Sequence, residues 1–154
     1  MSDRYYNPFQ GIDISVPVEF RENFSRYCQG AEKKSIVDQT PFPRMVDMWF
    51  LAICVAVNKG LSPVDMSKYD SKQTYKIIDG SIFTSDPWRI QALMLIMIGI
   101  IEDVEIVSEP RKIMAIANGL AVAGLPHVIE MLNDGDDDPI WNLSESFEAL
   151  MVEE

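Results

Sequence analysis

The stretch Pro41-Phe42-Pro43-Arg44-Met45-Val46-Asp47-Met48-Trp49-Phe50-Leu51-Ala52-Ile53-Cys54-Val55-Ala56-Val57-Asn58-Lys59-Gly60 decides the fold class. Its two prolines fix their own φ and push the preceding residues out of the helical region, so Thr40-Pro41-Phe42-Pro43 reads as a rigid, extended entry. A helix is predicted from about Arg44 to Asn58, closed by a basic residue and a glycine at Lys59-Gly60. Met45, Val46, Met48, Trp49, Phe50, Leu51, Ile53, Val55 and Val57 leave it almost no polar face, and Asp47 is the one charge inside it. A helix apolar all round belongs in the centre of a domain or under a partner. Cys54, within this run, reads as a small core hydrophobe.

Downstream, Ser62-Pro63 and Asp79-Gly80 mark turns around the least regular segment. Tyr75, Ile77 and Ile78 suggest a short strand, and Ser81-Ile82-Phe83 an anchor into the core. Asp86-Pro87 is a cap followed by proline, which predicts a second helix over 87–102 with an apolar middle. Ser108-Glu109-Pro110-Arg111 is another start. From it a helix carries Ile113, Met114, Ile116 and Ala117 to Asn118-Gly119 and continues towards His127. Gly124 and Pro126 are expected to interrupt that run, leaving Val128 to Leu132 as a further short helix. After the acidic stretch Asn133 to Pro139, a last helix is predicted over 140–151. Upstream, residues 1–16 read as a short strand or an extended arm, with Ile12, Ile14 and Val16 alternating. Pro17 then opens a helix through Val18, Phe20, Phe24 and Tyr27, with a stop at Gly30 and a polar connection over 31–40.

The expectation is a mainly α, compact single-domain helical bundle. Its two very apolar helices at 44–58 and 87–102 form the centre, with an extended N-terminal arm and a C-terminal amphipathic helix. Residues 1–133 form the helical domain, and 134–154 the acidic linker and its helix. A chain of 154 residues with 47% hydrophobic residues is long enough for its own core and too apolar for a disordered one. The N-terminus has no secretory pattern, and the run Ala92 to Ile101 is half the ~20 residues of a membrane span, so a cytoplasmic location without membrane is expected. Two cysteines make no disulfide framework.

Thirteen Lys+Arg against 24 Asp+Glu give −11. The acidity is localised. Residues 134–154 hold eight carboxylates and no Lys or Arg, leaving −3 for the rest. Direct nucleic-acid binding is disfavoured, because phosphate affinity comes from Lys and Arg releasing counterions. Lys68, Lys72 and Lys76, interleaved with Tyr69 and Tyr75, are the candidate phosphate contacts, but Asp65, Asp70 and Asp79 lie among them. The C-terminal helix is the candidate partner-binding element, through Ile140, Trp141, Leu143, Phe147, Leu150 and Met151, which need a groove to lie in.

No catalytic motif is present. His127 is the single histidine, without a Ser or Cys partner at a recognisable spacing, and reads as a surface or capping residue. No zinc site is expected from one histidine and two distant cysteines. Asp134, Asp136, Asp138 and Glu145 match EF-hand positions, yet Pro139 stands where that loop needs glycine, so a solvated linker is preferred to a calcium site. No cofactor is expected. The paired methionines Met45/Met48 and Met94/Met97 read as core rather than as an adaptable binding surface.

Pro41-Phe42 through Ala52, closing at Asn58-Lys59-Gly60, resembles the P-F-x-x-x-x-D-x-(aromatic/apolar)-A helix of small proteins associated with bacterial DNA sulfur-modification (phosphorothioation) systems. Ile82-Phe83, the apolar helix to Glu102-Asp103 and Ala117-Asn118-Gly119 resemble that family's later features, so the resemblance spans about residues 40–132. It implies an accessory role beside larger protein subunits in a phage-defence complex of DNA modification or restriction, and no catalytic residues. Excess apolar helix surface also leaves a homo-oligomer open. The alternative is an acidic regulator or nucleic-acid mimic filling a partner's basic groove. A small enzyme or direct DNA binder ranks third.

Overall fold

The computed structural model describes residues 6–29 and 39–152. The fold is mainly α: five helices and one two-stranded sheet lie among the described residues. The expected stop at Gly30 and most of the polar connection that follows lie outside them.

Helix α2 (Met45–Asn58) is as predicted and is central: Met48, Trp49, Ala52, Ile53 and Ala56 are fully buried. At its start the Arg44 backbone N–H donates to the Asp47 carboxylate at 2.9 Å, the return half of a capping box. Its main packing partner is not the helix at 87–101 but α4 (Pro110–Asn133). This corrects the expected centre. It also corrects the expected break at Gly124 and Pro126, since α4 runs unbroken for 24 residues. Gly124 is present for packing: a Cβ there would collide with the Ala52 carbonyl oxygen on α2. Gly119 likewise lies against the Val64 backbone, whose N–H donates to its carbonyl at 3.0 Å. Pro126 is exposed and stays inside the helix. By length and composition α4 is apolar enough to cross a bilayer, and 61% of its most apolar window is buried inside the protein.

Helix α3 (Pro87–Ile101) is peripheral. Only Arg89, Ile90, Leu93 and Met97 are buried, whereas Trp88 and Leu95 are 53% and 70% exposed. Asp86 occupies the N-cap position, but its side chain makes no cap hydrogen bond and turns to arginine instead. Glu102 closes the helix at φ 59°, its N–H donating to the Ile98 carbonyl at 2.8 Å.

Of the two readings left open for the N-terminal segment, the strand is what forms. Strand β1 (Asp13–Pro17) pairs antiparallel with β2 (Thr74–Asp79), with a register shift between Ile14 and Ser15. Ile14 and Val16 are fully buried, as their alternation predicts, and β1 lies against α4. The preceding turn is pinned rather than an arm: Phe9 is buried edge-on to Phe83, and the Asn7 amide donates to the Gly80 carbonyl at 2.9 Å. Pro17 ends the strand, and a 3₁₀ turn (Val18–Phe20) leads into a shorter helix than predicted, α1 (Arg21–Tyr27), which buries Phe24 and Tyr27.

The last helix, α5 (Pro139–Val152), packs on α4 through Leu143. It belongs to the same packed body as the segment before it. Pro139 takes the first helical position, so Glu145 sits exposed along the helix rather than closing a loop around Asp134 to Asp138.

Candidate functional site

Two arrangements stand out, one on α5 and one between the starts of α2 and α3. Helix α5 is set in place by Asn142, 3% exposed, whose Nδ2 donates to the Leu132 carbonyl at 3.1 Å and the Asp137 carbonyl at 2.9 Å. The chain turns at Gly135, φ 134°, where a Cβ would stand 2.6 Å from Asn142 Oδ1. The positive φ and the close approach of Asn142 both call for glycine at this turn, from which α5 folds back onto α4.

That docking divides the predicted contact stripe. Leu143 is buried; Ile140, Phe147 and Leu150 are half-buried, and Phe147 and Leu150 pack on the core. Leu143, Phe147 and Leu150 serve the protein's own fold. Trp141 and Met151 remain 57% and 79% exposed. Trp141 lines a shallow groove with Asp137, Ser144, Glu145 and Glu148. The outer face of α5 is thus an indole among carboxylates. Such a face suits a cationic partner, since guanidinium or ammonium groups gain both ion pairs and contact with the indole. On the flank of α5, His127 lines a recess with Lys59, Glu130, Asp134 and Ser146. It stands half-buried at this surface recess, inside α4 and away from either helix cap. Among the described residues no group of three or more His, Cys, Asp or Glu is placed to hold a metal.

The candidate phosphate lysines are all exposed and sit on different features. Lys76, on β2, is ion-paired to Asp13 at 3.0 Å. Lys68 ends a 3₁₀ turn, and Lys72 follows Asp70, whose carboxylate accepts the Lys72 backbone N–H at 2.9 Å.

The second arrangement is a quartet of alternating charge that the sequence reading missed. Arg44 and Asp47 stand at the N-cap and third positions of α2; Asp86 and Arg89 stand at the same positions of α3. Arg89 Nη2 donates to Asp47 Oδ1. Arg44 Nη2 donates to Asp86 Oδ2 at 2.8 Å and to Asp47 Oδ1 at 3.3 Å. Arg89 is 6% exposed, its guanidinium 4.9 Å from the Phe50 ring centre and 4.6 Å from that of Trp88. Its Nε lies 3.5 Å from Asp86 Oδ2 without forming a hydrogen bond. With two charges of each sign, the quartet is neutral and its members hold one another. It fixes the angle at which α3 leaves the core and pins Trp88, also edge-on to Phe50 at 5.4 Å. Its visible traces in the sequence were the Asp86-Pro87 start signal and Asp47, the one charge inside an apolar helix.

Two further buried polar groups are structural. Asn118 Oδ1 accepts from Trp49 Nε1 at 3.1 Å and from the Ser15 N–H at 3.3 Å, joining α2, α4 and β1. Cys28 is buried; burial, aided by the nearby Asp47 charge, pushes its thiol up to about 12. Cys54 is exposed on α2, which corrects its reading as a core residue. Crowding by its neighbours still pushes its thiol up, and Arg89 pulls it part of the way back. Compared with known protein families, curated proteins and solved structures, the chain gives no match.

Proposed function

We propose that the protein is a non-enzymatic accessory subunit of a bacterial phage-defence complex, docking the outer face of α5 onto a basic surface of a larger subunit in the cytoplasm. The observation that carries the docking is Trp141, exposed beside Asp137, Glu145 and Glu148 on a segment without Lys or Arg. The link to DNA modification and restriction rests on the resemblance over residues 40–132. A face of this kind draws a cationic partner over several ångströms and fixes its register, with an affinity that falls as salt screens the charges.

The test is co-purification with the products of neighbouring genes at low and high salt. A larger subunit is expected to be retained at low salt and shed at high salt. Trp141→Ala combined with Glu145→Lys is expected to abolish retention, since both side chains are exposed and the fold does not depend on them. Unchanged retention by this variant would overturn the docking face. Acidic mimicry of nucleic acid is the second reading, favoured by the eight carboxylates of residues 134–154. Under it, duplex DNA competes with the protein for the partner's groove; under simple docking, DNA leaves the complex intact. A shift of DNA by the protein alone would overturn both.

A further inference from the structure

The recess at His127 is built where three helices meet. His127 and Glu130 stand one turn apart on α4, Asp134 closes that helix, Lys59 closes α2, and Ser146 comes from α5. His127 and Ser146 are half-buried, whereas Lys59, Glu130 and Asp134 are exposed. Charges of both signs thus line one hollow of about 200 Å³. Among the described residues, none of these five side chains is hydrogen-bonded or ion-paired to another group. The contrast is with the Arg44–Asp86 quartet, whose charges satisfy one another. At Leu150 the recess adjoins a second hollow, of about 390 Å³. That one is mainly apolar, walled by Cys54 and Val55 of α2 and by Phe147 and Met151 of α5. Asn58, next to Lys59, lines it too, so the two hollows also adjoin along α2.

We propose that the joined hollows bind a free α-amino acid with a large apolar side chain, of the size of leucine, methionine or phenylalanine. Its carboxylate accepts from the Lys59 ammonium and an imidazole N–H of His127, and its ammonium donates to the Glu130 and Asp134 carboxylates. The recess lies at the C-terminal ends of α2 and α4, whose partial negative charge adds to the pull on the ammonium. The side chain runs over Leu150 into the apolar hollow and covers Met151, which is otherwise 79% exposed. A simple anion meets two carboxylates in this recess, and a simple cation meets Lys59. A ligand carrying both charges on adjacent atoms satisfies the whole lining. A residue within a peptide is a poorer occupant, because its amide bonds remove those charges. The site shares no residue with the Trp141 groove, so either reading stands if the other fails.

His127 is the single histidine, so its imidazole proton resonances report on the recess directly. Titrating the full chain with leucine is expected to shift them saturably at millimolar concentrations or below. Isocaproate lacks the ammonium of leucine, and isoamylamine lacks its carboxylate. Each should bind about tenfold more weakly or worse, the equivalent of about 1.4 kcal/mol. Glycine, with both charges and no side chain, should also bind more weakly than leucine. Lys59→Met and Glu130→Gln should each raise the leucine dissociation constant by a similar factor and leave the thermal midpoint unchanged, since both side chains are exposed and unpaired within the described residues. No shift with leucine, methionine or phenylalanine would overturn the proposal. So would isocaproate or isoamylamine binding as tightly as leucine, or a dissociation constant that neither substitution moves. Glycine matching leucine would overturn the part given to the apolar hollow.

Discussion

Cys28 and Cys54 show how little residue type says about position. Cys54 sits in an apolar run and Cys28 between Arg26-Tyr27 and Gln29-Gly30, yet Cys28 is buried and donates towards Met48 Sδ at 3.9 Å, while Cys54 faces outward. The composition of 44–58 fixes how much of that helix is buried, not which residue is left outside. Alkylation of the folded protein is expected to modify Cys54 and spare Cys28, which mass mapping will read. The raised Cys28 value also predicts an alkaline slope. Between about 9, the ordinary thiol value, and about 12, an unfolded chain loses this proton while the folded protein keeps it. Stability is therefore full below about pH 9 and falls as pH rises through that window. Cys28→Ala should flatten the slope in denaturation curves collected across it. A slope unchanged by the substitution would place its cause elsewhere.

Among the elements, helix starts were legible and helix neighbours were not. Asp86-Pro87 and Glu109-Pro110 mark true beginnings because proline is tolerated at a first helical position. Gly124 and Pro126 read as breaks because propensity is local, whereas the reason for Gly124 is Ala52, seventy-two residues away. Alternation placed β1 and Tyr75-Ile77-Ile78 placed β2, but their pairing includes a register shift that no periodicity announces. The same geometry gives opposite signs for two substitutions. Gly124→Ala forces α2 and α4 apart and should cost about 3 kcal/mol in chemical denaturation. Gly99→Ala meets open space and should stabilise the folded chain by about 1 kcal/mol. Equal effects at the two sites would contradict the close approach at Ala52.

Over the whole molecule, the acidic segment after residue 133 leads into a helix that packs on α4. Eight of the eleven net negative charges lie in the last 21 residues, as read from the sequence, but α5 closes the core over α4 with Leu143 and the Asn142 amide. Truncation after Asn133 is therefore expected to lower the thermal midpoint by several degrees, since it uncovers Met131 and Leu132 and strands the Leu132 carbonyl. An unchanged midpoint would show α5 to be a mere appendage. The candidate contact residues were legible as a set, because their stripe is amphipathic. Which of them face outward was not, because that is decided by the turn at Gly135. The α3 surface was misjudged for a related reason. An apolar helix was assigned to the centre, although its burial is one-sided and its far side is left to solvent.

The charge quartet has a topological consequence. Its two long-range links, Arg44 to Asp86 and Asp47 to Arg89, join residues the same 42 positions apart. Together they form a double rivet closing one loop, which holds β2 and the exposed turns around Ser67 and Lys72. Closure entropy grows only logarithmically with loop length, about 0.6 kcal/mol for each doubling. Residues inserted at those turns lengthen both closures together and leave the rivet's geometry alone. The segment between the rivets is where this architecture has room to grow, and where a tag or a reporter domain can be carried without prising α3 from the core.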